Sequence, residues 1–539
     1  MESIEAKTPK YMVYCVLVAC ITSLSFGWVI GSPNVPGEIT HNCATGNAHL
    51  YNIKFPDCLP MTTFLWAFAV ASFCLGGFVG AVSCGFLQTR LGRKKTIMLS
   101  NAGFIVGSVV VAVSFSSGMM IAGRIICGLS CGVCSLVIPT YIGEISTIRA
   151  RGAMGCYHQF FIAIGIFLST LIGMFLCRVP LWRINYGLAG VPALIQTLLM
   201  TTCVESPRWL ISVNRIEEAH YVLQKLRGKH NIDREFFEIV EGHVGPAAAI
   251  TAMKHLATKD EKSLQEWRSF HRPSSAQATL VEHPPSDEKQ RQQQEEDDDD
   301  DDDDDRMMGP TGGEEQDHPK EQQVTAKQVM KDPVMRRMTM TLVVLHVLQQ
   351  FLGLNALLYY SSMVYAAVYD NHNTAVMWSS MATVDTAVLL VMTVVAAALI
   401  DRMGRRRLLF LSETGVTLFA VVMFLGLFFH LSALLIVGVM FFVASFALGM
   451  NPIPWLLTID MCPTYASSTI GSLTTSINWL VNFIVALFFP VVFAAIQPYT
   501  FLIFAGIGLI ALVFTYFYVP ETKNRSIESV VREFEKYRR

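Results

Sequence analysis

Charge is what this 539-residue chain has least of: Asp, Glu, Lys and Arg make up 16% of it, against 52% hydrophobic residues. That balance excludes an ordinary soluble domain and points to a membrane. A basic surplus is lacking too. With a formal net charge of −2, the chain has no electrostatic footprint for nucleic acid. Although there are 13 cysteines, no two CxxC pairs stand in tandem as a zinc site requires, and most cysteines lie inside apolar runs as small packing residues. No nucleophile with its base, phosphate-binding loop or cluster of metal ligands stands at working spacing, which argues against an enzyme, a cofactor or a metal. The first apolar run, Tyr11–Gly31, lacks the basic lead and cleavage site of a secretory signal and reads as a retained span.

What is present is a succession of apolar runs. A helix needs roughly 20 mostly apolar residues to cross a bilayer. By that measure spans fall at 11–33, 62–87, 96–116, 119–142, 155–177 and 184–204, then at 338–369, 375–400, 407–429, 432–459, 468–494 and 499–519. The expected fold is an all-α membrane protein, with twelve transmembrane helices in two pseudo-symmetric six-helix halves. The organisation follows: residues 1–204 form the first half, 205–335 a cytosolic loop, 336–519 the second half and 520–539 a cytosolic tail. The loop has helical ends around a polar middle that includes a run of Asp297–Asp305, too acidic to bury a core. Its composition names no partner.

The halves repeat each other at their loops. RLGRKK (Arg90–Lys95) recurs as RMGRRR (Arg402–Arg407), each between the second and third span of its half. GEIS, with Glu144, has a weaker echo in TIDM, with Asp460, and ESPRWL (from Glu205) is echoed by PETKNR (with Glu521). Internal repeats of this kind build many secondary transporters, with the substrate near the midplane between them. Arg90, Arg93, Lys94 and Lys95, Arg149 and Arg151, and Arg402 and Arg405–Arg407 mark one side, against Lys54, Arg178 and Arg183 on the other. The positive-inside rule then puts both termini and the central loop in the cytosol.

Polar side chains inside spans tend to face a cavity or one another. Gln159 in span 5, Gln349, Gln350 and Asn355 in span 7, Asp385 in span 8, and Asn478 and Asn482 in span 11 are such groups. Amides both donate and accept hydrogen bonds, as a ring of sugar hydroxyls requires, and Trp455 can lie against the apolar face of a pyranose. The alternative is that these amides only join helices. Pro452 and Pro454 remove backbone donors from span 10 and should bend or break it, as a hinge or as a static kink. Arg93, Lys94, Glu144, Arg151, Glu205, Arg208, Arg405, Arg406, Asp460 and Glu521 sit at cytosolic span ends. They can latch that side shut or merely set topology; exposed pairs are worth about 0–1 kcal/mol each, so a latch needs several. Cys43 and Cys58 lie in the loop after span 1, on the oxidising side, and are candidates for a disulfide.

These motifs, together with GRIICGLSCG, PTYIGEIS, QQFLGLNALLYYS, NPIPW, SINWLVNF and VPETKNRS, resemble the sugar porters of the major facilitator superfamily, most of all the facilitative glucose transporters of animals. The resemblance spans nearly the whole chain outside about 245–320. It implies the major facilitator fold in the plasma membrane, no cofactor, and alternating access to a monosaccharide by rocking of the two halves. It also implies sugar contacts at Gln159, Gln349, Gln350, Asn355, Trp455 and Asn478, and an extracellular gate at Tyr359–Tyr360. The chain departs from that pattern in several places. Asp385, itself a candidate substrate contact, replaces an asparagine, Ala447 a span-10 glutamate and Ser467 an arginine, and HVL (His346–Leu348) stands before the glutamine pair. Val29 stands where proton-coupled relatives carry an aspartate, leaving Arg124 without its usual acid and favouring uniport, with Asp385 as a second possible proton carrier. The expectation is therefore a facilitative hexose transporter. The alternatives are a proton–sugar symporter and a non-transporting sugar sensor, and the residues leave glucose, galactose, mannose and fructose open.

Loop closure entropy changes slowly with length. Deleting Pro284–Gly313, which includes the Asp run, should therefore leave uptake per surface-expressed molecule within about twofold of the intact chain. Surface biotinylation paired with uptake measures it, and abolished uptake at equal expression would show that the segment is more than a linker.

Overall fold

Inside a bilayer a backbone N–H or C=O finds no water, so long apolar runs satisfy their backbone by closing into helices. Among the described residues the chain is helical, without strands. The computed structural model describes residues 8–35, 37–41, 56–147, 150–228, 232–244, 246–257, 325–367, 375–462, 464–523, 525 and 527–536. The first half comprises α1 (Lys10–Gly31), α2 (Gly37–His41), α3 (Thr63–Leu91), α4 (Arg93–Ala112), α5 (Ser117–Ile145), α6 (Arg151–Leu176), α7 (Trp182–Gly187) and α8 (Gly190–Met200). Short helices follow: α9 (Pro207–Ser212), α10 (Ile216–Arg227), α11 (Asp233–Val244) and α12 (Pro246–Ala257). After α13 (Ala326–Lys331) the second half comprises α14 (Pro333–Phe351), α15 (Leu354–Ala366), α16 (Ala375–Met403), α17 (Arg405–Phe428), α18 (Ser432–Leu448), α19 (Ile453–Met461), α20 (Thr464–Ile496) and α21 (Tyr499–Tyr518). A tail helix, α22 (Ile527–Lys536), ends the described chain. Residues 231–322 form a unit of their own, in which α11 and α12 pack together, and the two halves share the other unit. The acidic run and Cys43 lie outside the described residues, as does the side chain of Arg151.

Three expected spans differ from continuous helices, each for a stated backbone reason. Among the described residues eleven stretches are long and apolar enough to cross a membrane, where twelve spans were expected. The missing one is the sixth, which is divided into α7 and α8. Pro192 has no N–H to offer the Leu188 carbonyl, which takes the Val191 N–H at 3.1 Å instead, tightening the turn. Span 7 is divided into α14 and α15 at Gly353, whose φ of 89° is left-handed. A Cβ there would stand 2.4 Å from the Phe504 ring, so the position needs glycine for both conformation and space. Span 10 is divided into α18 and α19, with Pro452 and Pro454 opening the second piece rather than lying within a continuous helix. Proline is tolerated there because a first-turn N–H has no intrahelical partner to lose.

The two halves pack by the same plan. In the first, α3 and α4 lie against α5, α8 against α4, and α1 against α6; in the second, α16 and α17 lie against α18, α21 against α17, and α14 against α20. The halves meet along α3 with α20 and α6 with α16, pairs that a twofold operation would exchange. Sequence repeats at the loops thus correspond to repeats of helix packing.

Replacing Gly353 with alanine forces a side chain into the left-handed region, which costs roughly 1–2 kcal/mol before the Phe504 contact is counted. Thermal unfolding of Gly353→Ala in detergent should begin at lower temperature than that of the parent chain. An unchanged melt would show that the break tolerates a side chain.

Candidate functional site

The broken spans bring the polar groups together. Pro454 has no N–H for the carbonyl of Met450, and a bare carbonyl at this depth is costly. Gln349 Nε2 donates to that carbonyl at 2.7 Å and to the Asn451 carbonyl at 3.1 Å. Its Oε1 accepts from Asn478 Nδ2 at 3.0 Å. Gln350 Nε2 donates to Asn478 Oδ1 at 3.0 Å, and Asn355 Nδ2 donates to Gln350 Oε1 at 2.7 Å. Asn355 reaches Gln350 from a separate helix because the chain turns at Gly353, whereas a continuous span 7 was expected. His346, fully buried, completes the cluster: its Nδ1 lies 3.2 Å from Asn478 Nδ2, its Nε2 3.3 Å from Thr458 Oγ1, and its ring meets Trp455 edge-on at 4.8 Å. Gln159, half-buried on α6, makes no hydrogen bond to this cluster. Asp385 also lies outside it, accepting from Tyr365 Oη at 2.9 Å and 2.8 Å.

Beyond the cluster, at the end away from the arginine-rich loops, the two halves are joined. Asn34 Nδ2 donates to Ser361 Oγ at 2.8 Å, Ser362 Oγ donates to the Asn34 carbonyl at 2.8 Å, and Thr170 and Thr386 share a hydroxyl bond of 2.8 Å. Tyr359 and Tyr360 are buried there. Tyr359 pairs with Asn482 and meets Phe73 edge-on at 5.6 Å, while Tyr360 Oη donates to the Ala486 carbonyl at 3.0 Å. Tyr360 sits at a kink in α15, with φ −134° and ψ 19°. Arg124 is buried without a carboxylate partner among the described residues. Its Nη1 donates to the Val29 carbonyl at 3.0 Å and its Nη2 to the Val70 carbonyl at 2.9 Å.

The arginine-rich end carries two copies of one device. Glu205 accepts from the backbone N–H groups of Arg93 and Lys94 at 2.9 Å and 3.0 Å, while Arg93 pairs with Glu144 at 2.6 Å. Glu521 accepts from the N–H groups of Arg405 and Arg406 at 3.0 Å and 3.1 Å, while Arg405 pairs with Asp460 at 3.1 Å. Each carboxylate thus caps the N-terminus of the third helix of its half, where unsatisfied donors and the helix dipole favour negative charge. Gly92 and Gly404 precede those helices at φ 85° and 90°, and a Cβ on either would stand within 2.8 Å of the capping carboxylate. Burial pushes the Glu205 carboxyl up from its ordinary range, opposed by N–H groups of Ser206, Lys94 and Arg93. Each of these ion pairs closes within one half. Arg208 is half-buried and pairs with no acid among the described residues. A cavity of about 310 Å³ opens near this end between α6 and α16, lined by Cys156, Tyr157, Phe160, Thr393, Ala397 and Arg405 among others. It is distinct from the amide cluster, whose members are closed upon one another. Cys58 is disulfide-bonded, and Cys43, its expected partner, lies outside the described residues.

Sequence reasoning did not assign His346, Asn34, Ser361, Ser362 or Tyr365 to the site. Tyr365 stands four residues after Ser361, one helical turn, so a polar stripe was available as a signal. Asn34 lies past the end of span 1 and offered none.

Two repeated halves, broken helices around an amide cluster, and closure at one end are the build of a membrane carrier. Residues 15–261 and 281–534 match the family model described as Sugar (and other) transporter, and the chain belongs to that family. It is 30% identical over 546 residues to rat (Rattus norvegicus) solute carrier family 2, facilitated glucose transporter member 3, covering 98% of this chain and 94% of that one. To member 2 of the same rat family it is 28% identical over 575 residues, covering 99% and 95%. Among solved structures it is similar to the major facilitator superfamily proton:xylose symporter XylE bound to 6-bromo-6-deoxy-D-glucose, with a TM-score of 0.69, 20% identity, and coverage of 97% and 99%. The partially occluded inward-open form of XylE from E. coli gives 0.68 at 20% identity, covering 96% and 99%. The chain is thus a sugar transporter of the major facilitator superfamily that resembles the animal glucose transporters.

Removing the Gln349 amide leaves the Met450 carbonyl bare, which costs about 1–3 kcal/mol, and removes a donor that the site, if it binds sugar, would use. Gln349→Ala should therefore lower uptake by about tenfold or more, and Trp455→Leu should lower it several-fold, at equal surface expression. Normal uptake of radiolabelled sugar by both variants would remove these residues from the site.

Proposed function

We propose that this chain carries a hexose, with glucose the first candidate, down its gradient across the plasma membrane by alternating access. The arginine-rich end and both termini face the cytosol in this reading. The observation that carries it is the amide cluster of Gln349, Gln350, Asn355 and Asn478, held at the breaks of spans 7 and 10 where α14 packs on α20. Each amide now bonded to another can exchange that partner for a sugar hydroxyl, with Gln159 facing from the first half and Trp455 covering the ring. The closed contacts of Asn34, Thr170 and the tyrosine pair are then the outer gate. The cavity by Thr393 and Tyr157 is the start of the inner path. The facilitated glucose transporters among its relatives support the hexose, and the backbone partners of Arg124 support uniport, since among the described residues no acid stands there to be neutralised by a proton.

Uptake of radiolabelled glucose in cells lacking their own hexose carriers tests this, with galactose, mannose and fructose as competitors and a protonophore at clamped pH. Saturable uptake that equilibrates without accumulating, and that survives the protonophore, is expected. Collapse with the protonophore would favour symport, and absence of uptake for every hexose would overturn the reading.

A further inference from the structure

Two carboxyl groups lie buried within the spans and make no ion pair among the described residues: Asp385 on α16 and Glu413 on α17. Glu413 Oε1 accepts from Thr515 Oγ1 at 2.7 Å, inside one half. Asp385 stands at a junction. Its partner Tyr365 follows Ser361 by one turn of α15, and Asn34 of the other half holds Ser361. Its chain neighbour Thr386 bonds Thr170, also of the other half, at 2.8 Å. The closed outer side is therefore strapped to the first half on both flanks of Asp385.

The chemistry of the pair is specific. Tyr365 Oη lies 2.8 Å and 2.9 Å from the two carboxyl oxygens, yet a phenol has a single hydrogen to donate. An ionised carboxyl would share that one hydrogen between its two oxygens, whereas a protonated one would accept it on one oxygen and return an O–H from the other. An ionised carboxyl that is 3% exposed, with a hydroxyl as its one hydrogen-bond partner among the described residues, has no counter-charge there to offset its lost hydration.

Among the described residues no other charge is placed to serve. On α15 the titratable neighbours are Tyr359 and Tyr360, bonded to Asn482 and the Ala486 carbonyl. The packed stretch of α18, Ser432–Leu448, contains no titratable residue. On α6, Arg151, Cys156, Tyr157 and His158 precede Thr170 by twelve residues or more, about 18 Å along a helix. Cys177, just beyond it, donates to the Val35 carbonyl at 3.6 Å. On α17, Arg405–Arg407 and Glu413 lie toward the cytosolic end, and on α16 itself Asp401 and Arg402 are sixteen residues or more away.

We propose that Asp385 with Tyr365 is a proton-binding site, loaded from the outer solution, whose occupancy lets the outer side close. A hydronium ion gives its proton to a carboxylate oxygen, forming an O–H bond and releasing water. Thr393, the nearest cavity-lining residue of α16, is eight residues further along, about 12 Å. The proton therefore returns to the outer solution when the gate reopens: it sets how readily the gate closes without being carried across. This inference rests on the alternating-access reading but not on the identity of the sugar.

The test uses the purified full chain without sugar. Spin labels at Phe175→Cys and Leu431→Cys, exposed positions at the outer ends of the two halves, report their separation by double electron–electron resonance, with Cys156 and Cys177 replaced by serine. Raising pH from 5 to 9 should convert a short distance into a long one, the closed-to-open ratio falling about tenfold per pH unit above the midpoint, as one proton requires. Asp385→Asn should hold the short distance throughout, Tyr365→Phe should move the midpoint, and Glu413→Gln should leave the response intact. A pH-independent distance in the parent chain overturns the proposal, as does a parental response in Asp385→Asn or its loss in Glu413→Gln. Should Asp385→Asn fail to fold, an unmoved midpoint in Tyr365→Phe overturns it instead. A chain that moved no hexose would still answer, so this failure and failure of the transport reading are separable.

Discussion

Proline at 454 takes away the donor that the Met450 carbonyl would have used, and in the middle of a bilayer no water replaces it. The Gln349 amide does so at 2.7 Å, and much of the centre of the molecule follows from that bond. It fixes α14 against the break between α18 and α19. It leaves Gln349 Oε1 facing Asn478, and through Asn478 it draws in Gln350, Asn355 and His346. In this structure the amides join helices, and in the proposed transport cycle they would also meet the substrate. They hold the broken backbone in the absence of sugar, and their hydrogen-bonding capacity is what a sugar would compete for.

The periphery is built on the opposite principle. Glu205 and Glu521 each close a helix N-terminus, a left-handed glycine and an arginine into a unit internal to one half. Contacts between halves at the closed end are neutral: hydroxyls, one asparagine and aromatic edges. Neutral hydrogen bonds are worth about 0.5–1.5 kcal/mol each, so at the closed end the halves are joined by many small terms added to the packing of α3 on α20 and α6 on α16.

Most of this architecture was legible in the residues. RLGRKK and RMGRRR announced the duplication, and the structure shows why the motif repeats: the glycine makes room for the capping carboxylate, and the arginine reaches Glu144 or Asp460. The breaks were only half legible. Pro452 and Pro454 signalled one, but Gly353 reads as an ordinary small residue until Phe504 is seen beside it, and Pro192 lies in a run apolar enough to pass as one helix. The amides were found because polar groups in apolar runs are conspicuous. Asn34 was missed because its importance lies in which half it touches, and sequence carries no such distance, whereas Tyr365 lay on a polar stripe with Ser361 that could have been read.

The tail deserves a mechanical reading. Thr522 Oγ1 donates to Asp460 at 3.2 Å, Lys523 Nζ donates to the Arg402 carbonyl at 2.7 Å, and α22 packs on both α14 and α19. One of those helices carries Gln349 and the other begins at the proline break whose carbonyls Gln349 holds. The tail is thus a strut set against both partners of that bond. A bound protein or a proteolytic cut on the tail would bear directly on the amide cluster.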